Sequence, residues 1–298
     1  MHKSVLLQKT IDELAIKSGE IFVDGTLGGG GHSEEVFKRF GKTVKVIGID
    51  QDSDALKRSE ERLLAQGFTA QYLQGNFRNI DKILQEAGFQ KVDKILLDIG
   101  LSSNQFEDSG RGFSFQKDEP LLMSFKKNLE EGDLTAREIV NNWDEENLEA
   151  ILQGYGEEQF AWRIARAIVS KRALHPIDTT SELVDIILGA TPKFYHHQKI
   201  HPATKTFQAL RITVNDEIRA LKEGIRKSFE ILSVGGRLAV ISFHSLEDRI
   251  VKQFFNELEK SDFGKKINKK PIAPDKEEVM ENPRSRSAKL RVIEKIKN

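Results

Sequence analysis

The chain has 298 residues, with 46 basic and 46 acidic side chains, seven histidines and no cysteine. Zero formal charge gives no whole-molecule field to announce a nucleic-acid partner, and the lack of cysteine excludes disulfides, zinc–thiolate sites and thiol catalysis. At 38% hydrophobic and 31% charged residues it reads as a soluble globular chain of one large domain or two ordinary ones. Lys3, Lys9, Asp12, Glu13 and Lys17 interrupt the first stretch, so no signal-peptide core fits there. No apolar run reaches the ~20 residues that span a bilayer. A cytoplasmic location is the expectation.

Residues 5–18 read as a helix, with Val5, Leu6, Ile11, Leu14 and Ile16 apolar. Ile21 to Val23 then form a short buried strand that ends in Asp24. Gly25-Thr26-Leu27-Gly28-Gly29-Gly30-Gly31-His32 follows, and Ser33-Glu34-Glu35 opens a helical pattern. Strand, glycine loop and helix make half of a βαβ unit, and the helix N–H groups face whatever ligand the loop admits. The dinucleotide fingerprint G-x-G-x-x-G does not fit, because Ser33 or Glu34 stands where its last glycine belongs. The phosphate loop of nucleoside triphosphatases does not fit either, because Gly31-His32 replaces its Lys-Ser/Thr. What remains is an acid followed by Gly28-x-Gly30, suited to a ligand without phosphates. It resembles the first motif of the S-adenosylmethionine methyltransferases; a glycine-rich surface turn is the plainer alternative.

Val44 to Ile49 form a second strand that ends in Asp50, about 20 residues past the glycines, where a ribose-binding carboxylate belongs in a Rossmann-like unit. An ordinary strand-end acid would look the same. Residues 52–66 form a charged amphipathic helix, and Tyr72-Leu73 a third strand. Phe77 follows it, either to cover an adenine ring or to fill the core. Ile95 to Asp98 close a fourth strand. Asp24, Asp50 and Asp98 thus fall at the carboxyl edge of a parallel sheet, where open α/β sheets bind ligands.

No strand pattern is evident over residues 106–204. Residues 118–149 hold ten acids against Lys126, Lys127 and Arg137, and read as a solvated helical surface. Thr135-x-x-Glu138 fits a capping box. Residues 157–173 form a helix with Phe160, Ile164, Ala167 and Ile168 on one face and Arg163, Arg166, Lys171 and Arg172 projecting; residues 181–188 form another. The α/β pattern returns with one long helix over 204–232, a fifth strand over 238–243 and a helix opened by His244-Ser245. The segment from Ser261 carries eleven basic and six acidic residues, and 289–296 reads as a last strand. The domain expectation is residues 1–105 with 205–298 as an α/β domain and 106–204 as an inserted helical domain.

Eight stretches, in order, carry a closer likeness. They are His2 to Leu7, Asp24 to Ser33, Asp98 to Ser103, Arg111-Gly112-Phe113-Ser114-Phe115, Tyr155 to Glu158, His201 to Thr204 with Thr206 to Ile212, Ser242 to Arg249 and Asn282 to Ser287. Together they resemble the bacterial 16S rRNA cytidine N4-methyltransferases, the MraW family, over nearly the whole chain. The resemblance implies an α/β fold: a Rossmann-like S-adenosyl-L-methionine-dependent methyltransferase sheet with an inserted all-helical domain that recognises substrate. It implies methyl transfer to the exocyclic N4 of a cytidine in the decoding centre, with S-adenosyl-L-homocysteine as product. By position, the family's cofactor contacts fall on Gly30, Gly31, His32, Asp50, Phe77, Asp98 and Gln105. The glycine motif adds Asp24 and Gly28. One departure stands out. Where the family reads Pro-Leu-Asp-Met-Arg-Met-Asp, this chain has Pro120-Leu121-Leu122-Met123-Ser124-Phe125-Lys126, losing two acids and an arginine. Asn104 and Phe106 also replace the family's Pro and Leu around Gln105.

The N4 lone pair of cytosine is delocalised into the ring, so an acceptor for the amino hydrogens would help it attack a methyl group. Asp98 is the expected acceptor. His244 is a second candidate, with a helix-start histidine bonded to backbone as its plainer reading. The target base must be unstacked or single-stranded to be reached. Arg163, Arg166, Arg172, Lys266, Lys270, Arg284 and Arg286 are candidate phosphate contacts, each otherwise a solvated surface charge. The expected partner is 16S rRNA within the small ribosomal subunit, with no membrane and no metal; His196, His197 and His201 lack an acid or cysteine to complete a ligand set. Two competitors stand beside this reading. One is a ribosome-associated S-adenosylmethionine-binding protein with altered or lost catalysis. The other is a methyltransferase for a small molecule or protein.

Overall fold

The computed structural model describes residues 4–100, 110–126 and 128–298. The chain divides into two compact units, one of residues 1–100 and 218–298, the other of residues 101–217.

The first unit is built on a seven-stranded sheet. Its strands are β1 (Ile21–Asp24), β2 (Lys45–Asp50), β3 (Gln71–Gln74), β4 (Val92–Asp98), β5 (Leu232–Ser242), β6 (Gly264–Lys266) and β7 (Lys289–Lys295), in the spatial order β3-β2-β1-β4-β5-β7-β6. The first five run parallel, and β7 and β6 add antiparallel at one edge. The central strands are apolar on both faces, as a sheet covered on both sides requires. Ile95, Leu97, Leu238 and Val240 point into a core shared with Leu221, Ile225 and Phe229 of the helix Glu217–Ile231 and with Val251 and Phe255 of the helix Ser245–Lys260. Their neighbours Leu96, Ala239 and Ile241 point the other way, against Ile11 and Leu14 of the helix Leu7–Leu14, Val36 and Phe37 of the helix Gly31–Phe40, and Leu63.

Register sets the geometry of the carboxyl edge. Asp24 pairs with Gly48 of β2 and Leu96 of β4, so β1 ends two residues before Asp50 and Asp98. The step is about 7 Å along the strands.

Several elements differ from the sequence reading. The first helix spans only Leu7–Leu14, closed at both ends by left-handed Leu6 and Ala15. The fifth strand is longer than 238–243, because it begins at Leu232 and crosses Gly235-Gly236 through an irregular register. The edge strand β6 gave no sequence signal: Gly264-Lys265-Lys266 is short and charged, as exposed edges tend to be. The helix expected over 204–232 is two helices, Ala203–Asn215 and Glu217–Ile231, divided at left-handed Asp216. Just before the break, Asn215 Nδ2 donates to Met123 O at 2.7 Å and Phe125 N donates to Asn215 Oδ1 at 2.8 Å. Phe207, Ala209 and Leu210 belong to the core of the second unit. The return to the first unit therefore falls at residue 218, not 205.

The second unit gathers the helices Ala136–Asn142, Glu145–Gly154, Ala161–Arg172, Thr180–Ala190, Lys193–His196 and Ala203–Asn215 around Ile139, Leu148, Leu152, Ile164, Ile168 and Leu183. The acidic stretch expected to be helical is irregular over the described residues up to Leu134. Arg111 holds part of it, donating from one guanidinium nitrogen to the carbonyls of Ser124, Phe125 and Lys126. Thr135 accepts from Glu138 N at the head of Ala136–Asn142, while the reciprocal capping box forms at Thr179 and Glu182. No helix among the described residues is long and apolar enough to cross a membrane.

One buried ion pair ties the antiparallel edge to its covering helix. Asp248 Oδ1 and Oδ2 accept from Arg291 Nε at 2.7 Å and Arg291 Nη2 at 3.2 Å, and Lys289 Nζ lies 3.2 Å from Oδ2. Asp248→Ala leaves a buried guanidinium uncompensated. We expect it to lower stability by about 3–5 kcal/mol in urea denaturation; a loss below about 1 kcal/mol would show the pair to be solvent-screened.

Candidate active site

The glycine loop bridges the step left by the short β1. Gly25 N continues the ladder to Leu96 O at 2.9 Å, and Leu27 N reaches Ile49 O at 2.9 Å. Gly28 N then donates to Asp50 Oδ2 at 2.8 Å, while Asp52 N donates to Oδ1 at 2.9 Å. Gly28 and Gly30 have φ of 51° and 71°, left-handed values that a side chain disfavours. A Cβ on Gly31 would lie 2.1 Å from Ser4 Oγ. From the helix Ser53–Leu64, Ser59 Oγ donates to Gly28 O at 2.7 Å and Arg62 donates to Gly29 O at 2.9 Å while pairing with Glu34.

Asp24 lies beneath this loop at 1% exposure. Ser33 Oγ donates to its Oδ2 at 3.0 Å. Burial pushes its carboxyl up to about 7, Ser33 opposes, and the charges of Asp98 and Asp50 push the same way. Asp50 and Asp98 protrude beyond it and are half-buried. Burial raises Asp50, against two backbone N–H donors. Burial raises Asp98 to about 6, against the Gly100 N–H at 3.2 Å, and the charge of Glu247 adds to the rise. Thr26 Oγ1 accepts from Asp98 N at 2.7 Å and ties the loop to β4. Three carboxylates are thus held at one sheet edge, the deepest of them raised by burial and by the charges of the other two against Ser33 and the Thr26 N–H. That arrangement fits a ligand carrying positive charge, with a backbone-lined approach over Gly28 to Gly30. Asp24 acts on such a ligand through its charge, since its oxygens are covered.

The other candidates are distributed as follows. His32 is buried, its Nε2 3.2 Å from Val5 O, where it holds the N-terminal segment to the loop. The Phe77 ring lies against the helix Glu217–Ile231, where a Cβ on Gly224 would come within 2.4 Å of it. Gln105 lies outside the described residues. His244 caps the helix Ser245–Lys260: Glu247 N donates to its Nδ1 at 3.4 Å and Glu247 Oε2 accepts from Phe243 N and His244 N. Its Nε2 is 3.0 Å from Glu247 Oε1. Arg172 donates to Val140 O at 2.8 Å, and Lys266 contacts Asn256 at 2.7 Å and Glu259 at 2.8 Å, so both are committed within their own units. Lys270, Arg284 and Arg286 are exposed. Arg163 and Arg166 are exposed on the helix Ala161–Arg172. His196 contacts Thr191 Oγ1, while His201 accepts from Ala203 N and stacks on Phe115. Ser59 and Arg62 were not anticipated, and nothing in their local sequence marks them, because their partners are distant in the chain; Thr26 lies within the glycine motif, but its bond to Asp98 N is a long-range contact.

The description of the MraW methylase family matches residues 1–296. The chain belongs to that family. It is 50% identical to the ribosomal RNA small subunit methyltransferase H of Clostridium botulinum (strain Kyoto / Type A2) over 310 aligned positions, covering 99% of each chain. It is 45% identical to the protein of that name from Carboxydothermus hydrogenoformans, covering 99% of this chain and 98% of the relative. Among solved structures, an rRNA methylase from Streptococcus thermophilus matches at 12% identity and a TM-score of 0.48, covering 100% of this chain and 99% of the other. As an MraW methylase the chain uses S-adenosylmethionine, whose sulfonium and ammonium groups supply the positive charge the three carboxylates favour.

Folded-state values near 7 for Asp24 and 6 for Asp98, against 3.8 when unexposed to these neighbours, mean that the folded protein binds more protons than the unfolded chain above about pH 4. Their contribution is complete below that pH and is lost as pH rises toward 7. Asp24→Asn should therefore gain about 2–3 kcal/mol relative to wild type between pH 5 and pH 8 without ligand. Urea midpoints of both proteins at the two pH values measure this; parallel curves would mean that Asp24 is not raised.

Proposed function

We propose that this MraW methylase transfers a methyl group from S-adenosylmethionine to the N4 amine of a cytidine in small-subunit rRNA, within the decoding centre. The observation that carries the reading is the set of Asp24, Asp50 and Asp98 under and beside the glycine loop. The names of the relatives supply the substrate class. Asp50 and the loop N–H and C=O groups would hold the ribose and amino acid ends of the cofactor; Gly30, Gly31, His32, Phe77 and Gln105 are carried over from the family by position. When bound, the cofactor supplies an electrophilic methyl on a sulfonium.

Asp98 does the acid–base work. A carboxylate offers about four acceptor positions, and Gly100 N–H takes one of them. As its carboxyl is raised to about 6, it is a stronger base than an exposed aspartate and is still ionised at neutral pH. It accepts from the amine hydrogens, which favours a pyramidal nitrogen, and takes the proton released when N4 forms its bond to the methyl carbon. His244 is held by its capping box as the start of a helix and serves to position the end of β5. The inserted unit recognises the RNA, and the reaction takes place in the cytoplasm where the subunit is assembled.

The segment 120–126 favours a second reading, a protein that binds cofactor and ribosome but turns over slowly or on another base. Leu121 and Met123 are buried there, and the family's acids and arginine are replaced by Leu122, Ser124 and Lys126. The test is methyl transfer from labelled S-adenosylmethionine to small subunits lacking the modification, with nucleoside analysis. N4-methylcytidine at one site is the expected product. Cofactor binding without product on subunits or free rRNA would select the second reading. Asp98→Asn should reduce kcat by roughly 10²–10⁴-fold; full turnover in that variant would remove Asp98 as the acceptor.

A further inference from the structure

The second unit exposes an aromatic surface that the family reading does not use. Trp162 is 48% exposed and Phe194 is 64% exposed. Phe160 joins them: its ring centroid is 6.1 Å from that of Phe194, and the Arg163 guanidinium lies 5.8 Å from the Phe160 centroid and 5.2 Å from that of Trp162. Arg166 follows on the same exposed face, one turn beyond Trp162. Large apolar rings at this exposure lose solvation free energy unless something covers them.

The charge around the rings selects the occupant. Residues 159–175 and 192–205 contain seven lysines and arginines and no acid, in a chain of zero formal charge overall. Residues 118–149 of the same unit hold ten acids. The aromatic patch therefore lies on two segments of net positive charge, with Glu157 and Glu158 just before the first and the buried Glu158 accepting from the Tyr195 hydroxyl. Aromatic faces interleaved with guanidinium groups are what unpaired bases and their phosphates require. An apolar protein partner would not call for the basic excess, and duplex RNA would not use the ring faces.

We propose that Trp162 and Phe194 are stacking platforms for unpaired bases of the RNA substrate, with Arg163 and Arg166 on the adjoining phosphates. This rests on the rRNA reading above and extends it from candidate phosphate contacts to base contacts.

The chain has two tryptophans, and Trp143 packs against the core of the second unit. In a Trp143→Phe background, emission therefore reports on Trp162. Titration with an unstructured oligo-uridine of about 12 nucleotides should quench that emission, and a blunt duplex of equal length should not. Trp162→Ala and Phe194→Ala should each weaken binding of the oligonucleotide on the order of tenfold, and Trp162→Phe should restore most of the loss. In the methylation assay the alanine variants should raise KM for subunits while kcat and cofactor affinity hold. Unaltered KM and oligonucleotide affinity in both alanine variants would overturn the proposal, even with wild-type methylation intact. Quenching that follows protein concentration instead of RNA would overturn it in favour of a second copy covering the patch. Failure of the wild type to methylate any subunit, with oligo-uridine still quenching Trp162, would remove the cytidine reading and leave the stacking surface standing.

Discussion

The active edge depends on β1 stopping two residues short of its neighbours. Register with β2 and β4 places Asp24 opposite Gly48 and Leu96, so Asp50 and Asp98 stand beyond it. A strand of equal length would bring Asp24 level with the flanking pair. The recess instead buries the middle one, lets the glycine loop close over it, and leaves the flanking pair standing beyond it. The loop is tied on every side, to Ile49 and Asp50 of β2, to Asp98 through Thr26, and to the helix Ser53–Leu64 through Ser59 and Arg62. The repulsion that Asp98 and Asp50 exert on Asp24 is tolerated because apolar packing on both sheet faces fixes the strands that carry them. A cationic ligand relieves that repulsion, so the destabilised unliganded edge is itself part of the affinity.

Much of this was legible because it is local. An apolar run closed by an acid is visible three times over, and the distance from the glycines to Asp50 follows from the length of one helix and one strand. The recess was not legible, since register is a relation between strands and no single strand records it. The same limit hid Ser59 and Arg62, which act on glycines some thirty residues away. The break at Asp216 was hidden for a related reason. Helical periodicity runs on through it, and the left-handed turn becomes intelligible only beside Asn215, whose amide is engaged with the backbone at Met123 and Phe125. That side chain moves the boundary of the inserted unit by a whole helix. The strand β6 lacks any alternation because an exposed edge is better served by lysine than by apolar residues.

Polar residues singled out by type divide according to what they already hold. His244 has the position expected of a catalytic histidine, after a strand at the carboxyl edge. The helix behind it needs a cap, and the reciprocal contacts with Glu247 provide one. Arg172 and Lys266 carry charges suited to phosphate, but one secures the carbonyl of Val140 and the other is held by Asn256 and Glu259. A sequence records the charge of a side chain and not whether folding has used it. Asp98 differs because its engagement with Gly100 leaves acceptor capacity, and burial strengthens it as a base.

Zero net charge is therefore a sum over separated fields, not a sign that electrostatics are idle. The first unit concentrates negative charge at a sheet edge in a setting of low dielectric, where it favours a cation. The second has ten acids over residues 118–149 and seven lysines and arginines in the two segments that carry Trp162 and Phe194. A polyanion meeting such a surface is guided by the local field within about 10 Å, not by the distant total. Neutral composition then becomes an advantage for an enzyme whose substrate is embedded in RNA: a uniformly basic chain would hold any exposed backbone, whereas a small basic and aromatic face binds where unpaired bases are presented. On the proposed reading, stacking in that arrangement would select unpaired bases over paired ones whatever their sequence, and the charge would serve to bring the strand within reach.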